Sequence, residues 1–468
     1  MEESTKKTLM AGFHRTVVTP PMGLNIQGYY QTRLADGILT DLYINATAFS
    51  DGEKKAVVFS VDAITPPKNA CEWIAARVAE RCNMDPEGVY IHTPHSHTAF
   101  RLLLPNKLRP GATADTVEYD PVYADFFPCL VRKFCDCAQM AFADLKPCAF
   151  RIARGEAKGI SFNRRYEMKD GTFKTNPQPA GDPNILRPAG PVDESVQLLR
   201  IIREGGSDIL MINYGNHADT VGGTKYCADW PGFTGDYLRS VFGGNLEVMI
   251  MNGAEGDINH VNRFIPPVIP SVPTQKAERI ARILAGEVLK LYDDAVEIPT
   301  GSIRTFRKTA VIGQNPHNPE NEPLAKEIYK HYQDYLKMGV KDEFLSNKEN
   351  YYIAEEDRYM SLTEACRIVG CLNEPEFLYV ELSGLQLGGV GFIGIPGEPF
   401  AQIGIDIKAG SKLDMTFVNC LVNGANGYIP SADAFAVAGY ESDASHLAPN
   451  CAQLVTEAGL AICAEMEA

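Results

Sequence analysis

The sequence predicts an α/β fold, a single large domain of mixed β-sheets flanked by helices. Short apolar runs of buried-strand type alternate with segments of helical spacing, which is the pattern of sheets covered by helices. At 468 residues, 45% hydrophobic and 22% charged, the chain is long and apolar enough to bury a sizeable core. No repeat, low-complexity stretch or linker divides it, so the domain is expected to run over residues 8–468.

The elements follow in chain order. Residues 56–62 form an apolar run ending in an acid, and 69–82 have helical spacing through Trp73, Ile74, Ala76, Val78 and Ala79. Residues 88–91 make a second short strand that delivers a histidine-rich segment. Residues 123–145 read as a helix with Phe126, Leu130, Phe134, Ala138 and Phe142 on one face. Strands are expected at 196–202, 209–214, 247–251, 302–312 and 377–395, the last interrupted at Gly388-Gly389. Residues 275–292 form an amphipathic helix, and 453–466 a final one. Residues 313–375 differ in texture. They are first Pro/Asn-rich, then helical and charged, as expected of a helical insertion or cap.

A net charge of −15 argues against nucleic acid or anionic membrane surfaces as main partners. The twelve cysteines show no C-x-x-C spacing and read as free, mostly buried thiols. The first residues lack a signal-peptide pattern, and no apolar run is long enough to cross a bilayer. A reducing, cytoplasmic location is expected.

Five segments carry more polar chemistry than their positions need. Ile91-His92-Thr93-Pro94-His95-Ser96-His97-Thr98 places three histidines directly after a strand, where imidazoles have fixed directions and suit a metal. A His-rich surface loop is the plain alternative. Asn213-Tyr214-Gly215-Asn216-His217-Ala218-Asp219 ends another strand, and Ala228-Asp229-Trp230-Pro231-Gly232 then opens a helix. Its Gly-Asn-His-x-Asp string also matches metallophosphoesterases, but their companion acidic segments do not precede it in order. Met251-Asn252-Gly253-Ala254-Glu255-Gly256-Asp257-Ile258-Asn259 is either a simple turn or a source of carboxylates that orient histidines. Ile395-Pro396-Gly397-Glu398-Pro399 presents one acid, which could favour a helix start or complement two imidazoles on zinc. Tyr428, in the Gly/Asn-rich run 423–430, is either a packed aromatic or a hydroxyl donor, and Ala438-Gly439-Tyr440-Glu441 follows it.

Taken in order these segments resemble a known family. The series runs from Ala11-Gly12 and Thr19-Pro20-Pro21 through Phe59-Ser60-Val61-Asp62 to His95-Ser96-His97. It continues with Asn163-Arg164-Arg165, Asn216-His217, Ala228-Asp229-Trp230-Pro231-Gly232 and Gly253-Ala254-Glu255-Gly256-Asp257, and closes with Pro396-Gly397-Glu398 and Gly427-Tyr428. It is similar to the catalytic domain of the neutral/alkaline non-lysosomal ceramidases, at scattered motifs over roughly residues 11–460. The resemblance implies a zinc-dependent amidohydrolase that cleaves an N-acyl amide by metal-activated water. It implies His95, His217, Glu398 and Tyr428 as metal ligands, His97 as the proton-handling residue, and Arg164 beside the reacting carbonyl. Asp257, and after it Asp229 or Asp62, is expected to orient the ligands, while His92 belongs to the strand end.

Two departures modify that picture. The family carries a serine after the Gly-Asp turn where this chain has Asn259, with His260 beside it, so a serine nucleophile is not expected. The family's C-terminal β-sandwich has no counterpart after the helix at 453–466, which points to a soluble small-molecule N-acyl substrate rather than membrane-embedded ceramide. Residues 313–375, least like the family, are expected to shape the pocket. Ester, lactone or sugar-linked substrates remain open alternatives, as does a non-catalytic metal- or ligand-binding protein on the same scaffold.

Overall fold

Alternate side chains of the central strands enter different cores, which is why these strands read as unbroken apolar runs. In the strand Lys55–Val61, Val57, Phe59 and Val61 pack under the helices Lys68–Cys82 and Pro121–Ala143. Ala56 and Val58 face the opposite way, into a core shared with a second sheet. In Asp208–Tyr214, Leu210, Ile212 and Tyr214 pack against the helices Asp229–Val241 and Gln275–Asp294, while Ile209 and Met211 enter the shared core.

The computed structural model describes residues 8–108, 121–266, 271–338 and 343–468. Among these, a large mixed sheet has the order Leu246–Asn252, Asp208–Tyr214, Ser195–Arg203, Lys146–Glu156, Met10–Val17, Tyr43–Ser50, Lys55–Val61, Val89–His92. Val296–Ile298 pairs beside Lys146–Glu156. A second sheet has the order Ile303–Gly313, Phe377–Leu387, Val390–Gly394, Met415–Asn419. Phe49, Phe150, Met211 and Met249 of the first sheet meet Leu385, Phe392 and Phe417 of the second. The helices Ala401–Gly410 and Cys451–Glu467 cover the outer face of the second sheet. The α/β class is as expected, arranged as helix, sheet, sheet, helix.

The expected strands and helices are present, with ends shifted by a few residues. Four strands lack a clear sequence signal: Met10–Val17, Tyr43–Ser50, Lys146–Glu156 and Met415–Asn419. Tyr43–Ser50 (YINATAFS) interleaves the strand formers Tyr43, Ile44, Thr47 and Phe49 with Asn45, Ala46, Ala48 and Ser50, which break up its apolar signal. Antiparallel neighbours on both edges hold it extended. Residues 313–375 leave the second sheet where Gly313 pairs with Phe377. They form the helices Glu322–Met338 and Leu362–Cys371 around a small core of Ala325, Ile328, Met360 and Ile368. Residues 339–342 of that stretch lie outside the described residues.

Three parallel strand pairs aim the polar segments at one region. They are Lys55–Val61 with Val89–His92, Asp208–Tyr214 with Leu246–Asn252, and Val390–Gly394 with Met415–Asn419. In α/β sheets ligands bind outside the carboxyl ends of such strands. The segments leading to His95, His217, Glu255, Glu398 and Tyr428 all leave from these ends.

Candidate metal centre

Buried asparagines tie the strand ends of the two sheets together. Asn213, Asn216, Asn252 and Asn419 have no solvent exposure. Asn252 Nδ2 donates to Pro94 O at 3.0 Å and Asn216 O at 2.9 Å, and the Asn216 N–H donates to Asn252 Oδ1 at 3.0 Å. Asn213 Nδ2 donates to Met251 O and, across to the second sheet, to Val418 O. Each amide thus satisfies backbone carbonyls that chain turns would leave bare, and the histidine loops inherit its rigidity. His92 belongs to this framework. Its Nε2 accepts from the Asn252 N–H at 3.0 Å, and burial lowers its pKa to about 3.

The framework brings three imidazoles together. His95 and His97 have ring centroids 4.8 Å apart, His95 and His217 4.6 Å, and His97 and His217 5.0 Å. His95 sits at φ +68°, a left-handed conformation that a non-glycine residue holds only when its surroundings enforce it. Its Nδ1 lies 3.0 Å from Ile64 O, which can only accept, so Nδ1 carries the proton and Nε2 presents a lone pair. That Nε2 faces Glu398 Oε2 at 3.4 Å and His97 Nε2 at 3.2 Å. His217 Nδ1 lies against Glu255 Oε2. Ring nitrogens and carboxylate oxygens of His95, His217, Glu255 and Glu398 fall within 4.8 Å of one another, as do those of His95, His97 and His217.

Electrostatics shows what the cluster lacks. Oε2 of Glu398 is buried without a hydrogen-bond partner among the described residues, and beside the Glu255 carboxylate stand the weak Cys420 thiol and the His217 ring. Burial raises the pKa of both carboxyls, against the pull of His95. Two ionised carboxylates within 4.8 Å repel by about 3–4 kcal/mol even at an effective dielectric of about 20. Burial opposes charge on His95 too, but Glu398 and Glu255 outweigh it and raise its pKa. Burial holds His97 and His217 well below the usual imidazole range, reinforced for His97 by His95 and His217 and for His217 by Arg164 and His95. Imidazole nitrogens and carboxylate oxygens around one point are the donor set of a divalent cation. The residues fit the metal that the sequence implies.

The wall beside the cluster is a buried ion pair. Arg164 Nε donates to Glu441 Oε1 at 2.7 Å, and Nη2 donates to Gly256 O at 2.8 Å. Its guanidinium carbon lies 5.1 Å from the Tyr428 ring centroid, and the Tyr428 hydroxyl bonds both Arg164 and Glu398. Burial, with Glu398 adding to it, puts the Tyr428 pKa well above the ordinary phenol range despite Arg164.

Of the residues singled out in the sequence, His95, His97, His217, Glu398, Tyr428 and Arg164 converge here. Asp257 does not touch a histidine. Its oxygens accept from the Ala401 N–H at 2.8 Å and from Asn163 Nδ2 at 2.7 Å, so it anchors a helix start and the residue before Arg164. Its peptide direction, not its chemistry, turns it away; Glu255, two residues earlier, meets His217 instead. Asp229 accepts from the backbone of Thr220, Val221 and Trp230, and Asp62 from Tyr43 N. Neither reaches an imidazole. The acid beside His97 is Asp219, whose Oδ1 is 3.8 Å from Nδ1 and which also bonds the Tyr29 hydroxyl. Asp219 and Glu441 stand in segments noted for their polarity, but nothing in the sequence pairs them with His97 or Arg164.

Gly28 sets the floor under His97. At φ +108°, a Cβ there would stand 2.6 Å from His97 Nδ1 and 2.7 Å from Ile64 Cδ1. Gly28→Ala is therefore expected to displace the His97 ring while leaving the donors of the cluster in place. Turnover should fall by roughly 100-fold, the scale of a 1 Å misplacement, with metal content unchanged. Elemental analysis beside steady-state rates checks this, and an unaltered rate would show that His97 takes no part.

The cluster opens into a cavity of about 380 Å³ lined by His95, His97, Glu398, Tyr428, Tyr440 and residues of the 28–30 turn. Tyr332, from the insertion, reaches the same cavity and donates its hydroxyl to Tyr30 O at 2.9 Å. Tyr29, Tyr30 and Tyr332 also line an adjoining cavity of about 480 Å³ with Tyr335, Tyr351 and Leu362.

Comparison with solved structures matches this architecture to neutral ceramidase from Pseudomonas aeruginosa. The TM-score is 0.70 at 14% sequence identity, over 98% of this chain and 75% of that chain. The chain has the neutral ceramidase fold. A ceramidase complexed with C2 matches in the same way, with TM-score 0.68 and 13% identity over 99% of this chain and 76% of that one. No family model and no curated protein matches the sequence. The ceramidase fold therefore rests on geometry, and function has to be argued from the residues at its strand ends.

Proposed function

We propose that this chain is a zinc-dependent hydrolase of N-acyl amides acting on a small substrate. The observation that carries the proposal is the convergence of His95, His217 and Glu398, all buried and Glu398 with an orphaned Oε2, beside Tyr428 and the Arg164 guanidinium. Bound by these residues, zinc would supply Lewis-acid polarisation and lower the pKa of water from about 15.7 to about 7. The rest of the chemistry belongs to the chain. His97, kept uncharged by burial and its neighbours, offers Nε2 to take a proton from the attacking water and return it to the departing amine nitrogen. Asp219 stands beside Nδ1 to favour the charged ring that forms. Arg164 and Tyr428 face the acyl oxygen as it gains negative charge, each such donor being worth about 3–4 kcal/mol of barrier in comparable sites.

Two adjoining cavities of about 380 and 480 Å³ suit a small substrate, and tyrosines supply much of the larger one. Among the described residues no helix is long and apolar enough to cross a membrane. The twelve unpaired cysteines fit a reducing compartment. The test is hydrolysis of a panel of N-acyl amides, esters and lactones by zinc-loaded protein, with amide products quantified. Amide turnover that disappears on chelation and returns with zinc is expected. Zinc bound with every substrate of the panel intact would leave a binding protein, and ester-only turnover would reassign the bond.

A further inference from the structure

We propose that Glu255 is a metal-donating side chain of this centre, so that two carboxylates, Glu398 and Glu255, hold the ion together with His95, His217 and Tyr428. The proposal rests on the reading of the cluster as a metal centre. Glu255 is fully buried, and the donors beside its carboxylate are the weak Cys420 thiol and the His217 ring. That carboxylate falls within the 4.8 Å donor group.

The backbone forces the two acids together. The Gly256 N–H donates to Pro399 O at 2.9 Å, and a Cβ on Gly256 would collide with Glu398 O. Only glycine lets the Glu255 loop press so closely against the strand that carries Glu398. Arg164 acts on Glu255 only through its field, because its Nε serves Glu441 and its Nη2 serves the Gly256 carbonyl. A buried carboxylate pair this close is held either by a shared proton or by a cation, and the imidazoles around this one supply the remaining donors of a cation site. The alternative, that Glu255 merely accepts the His217 Nδ1 proton, requires a ring N–H aimed at Oε2. The His217 Nδ1 also faces the Glu255 backbone oxygen at 3.5 Å, an acceptor that leaves the carboxylate free for the ion.

The consequence is a harder donor set than a two-histidine, one-carboxylate site. Oxygen anions favour manganese relative to zinc, whereas imidazole suits zinc well. Titration of metal-free wild type, Glu255→Gln and Glu255→Asp with Mn²⁺ and with Zn²⁺, monitored by calorimetry, tests this. Glu255→Gln keeps the volume and removes the anionic donor, and circular dichroism checks its fold. Its Mn²⁺ affinity should fall at least about tenfold more than its Zn²⁺ affinity, in line with the hard-donor preference. Glu255→Asp should recover part of the Mn²⁺ loss. Equal loss of both metals would make Glu255 an orienting partner of His217 and overturn the proposal, as would no loss at all. A wild type that binds neither ion would bring down the metal reading itself.

Discussion

His217→Ala and Glu398→Ala proteins are expected to fold and to lose their metal. Each substitution removes one of the few donors that converge on the cluster, leaving His95 with too few fixed partners to hold the ion. Even partners one step removed from a metal typically cost 10–100-fold in affinity, so loss of a direct ligand should cost more. The rate follows the metal. A bound cation supplies several kcal/mol of charge stabilisation, and 5–6 kcal/mol corresponds to about 10⁴ in rate. Elemental analysis and amide turnover, with circular dichroism confirming the fold, give the answer together. Full occupancy in both variants would sink the site.

Glu441→Ala is expected to give the largest loss of stability. Glu441 is fully buried, takes the Arg164 Nε–H at 2.7 Å and the Thr175 hydroxyl at 2.8 Å, and lies 3.9 Å from Arg165 Nε. Deleting it strands a guanidinium that cannot give up its charge, at a cost of about 3–5 kcal/mol. The urea midpoint should fall with little change in slope. Arg164→Met in the same background should restore part of the loss, since the stranded charge is then gone. If the double variant is no more stable than Glu441→Ala, the pair is not what holds this wall.

Much of the site was legible because strand ends are legible. An apolar run that stops at a histidine or an acid announces a side chain presented at a sheet edge, as at His92 to His97, Tyr214 to His217 and Gly394 to Glu398. The helix pattern of 275–292 was equally plain, because one face of it had to be apolar. Tyr43–Ser50 was not, since Asn45, Ala46 and Ala48 interrupt its apolar pattern and pairing with neighbours on both edges completes the strand.

The carboxylates mark the boundary between the two kinds of information. Glu255 and Asp257 are equivalent acids in one glycine-rich turn, and by sequence either could serve a histidine. The packing of Gly256 against Glu398 sends Glu255 toward His217 and leaves Asp257 to the Ala401 N–H. Asp219 reached His97, and Glu441 reached Arg164, in the same way. From the sequence alone came the α/β class and the residues that end the strongly apolar strands, because periodicity and chain punctuation are local. The tertiary structure alone decided which acid meets which ring, because that depends on how parallel strands of two sheets align their ends across hundreds of residues.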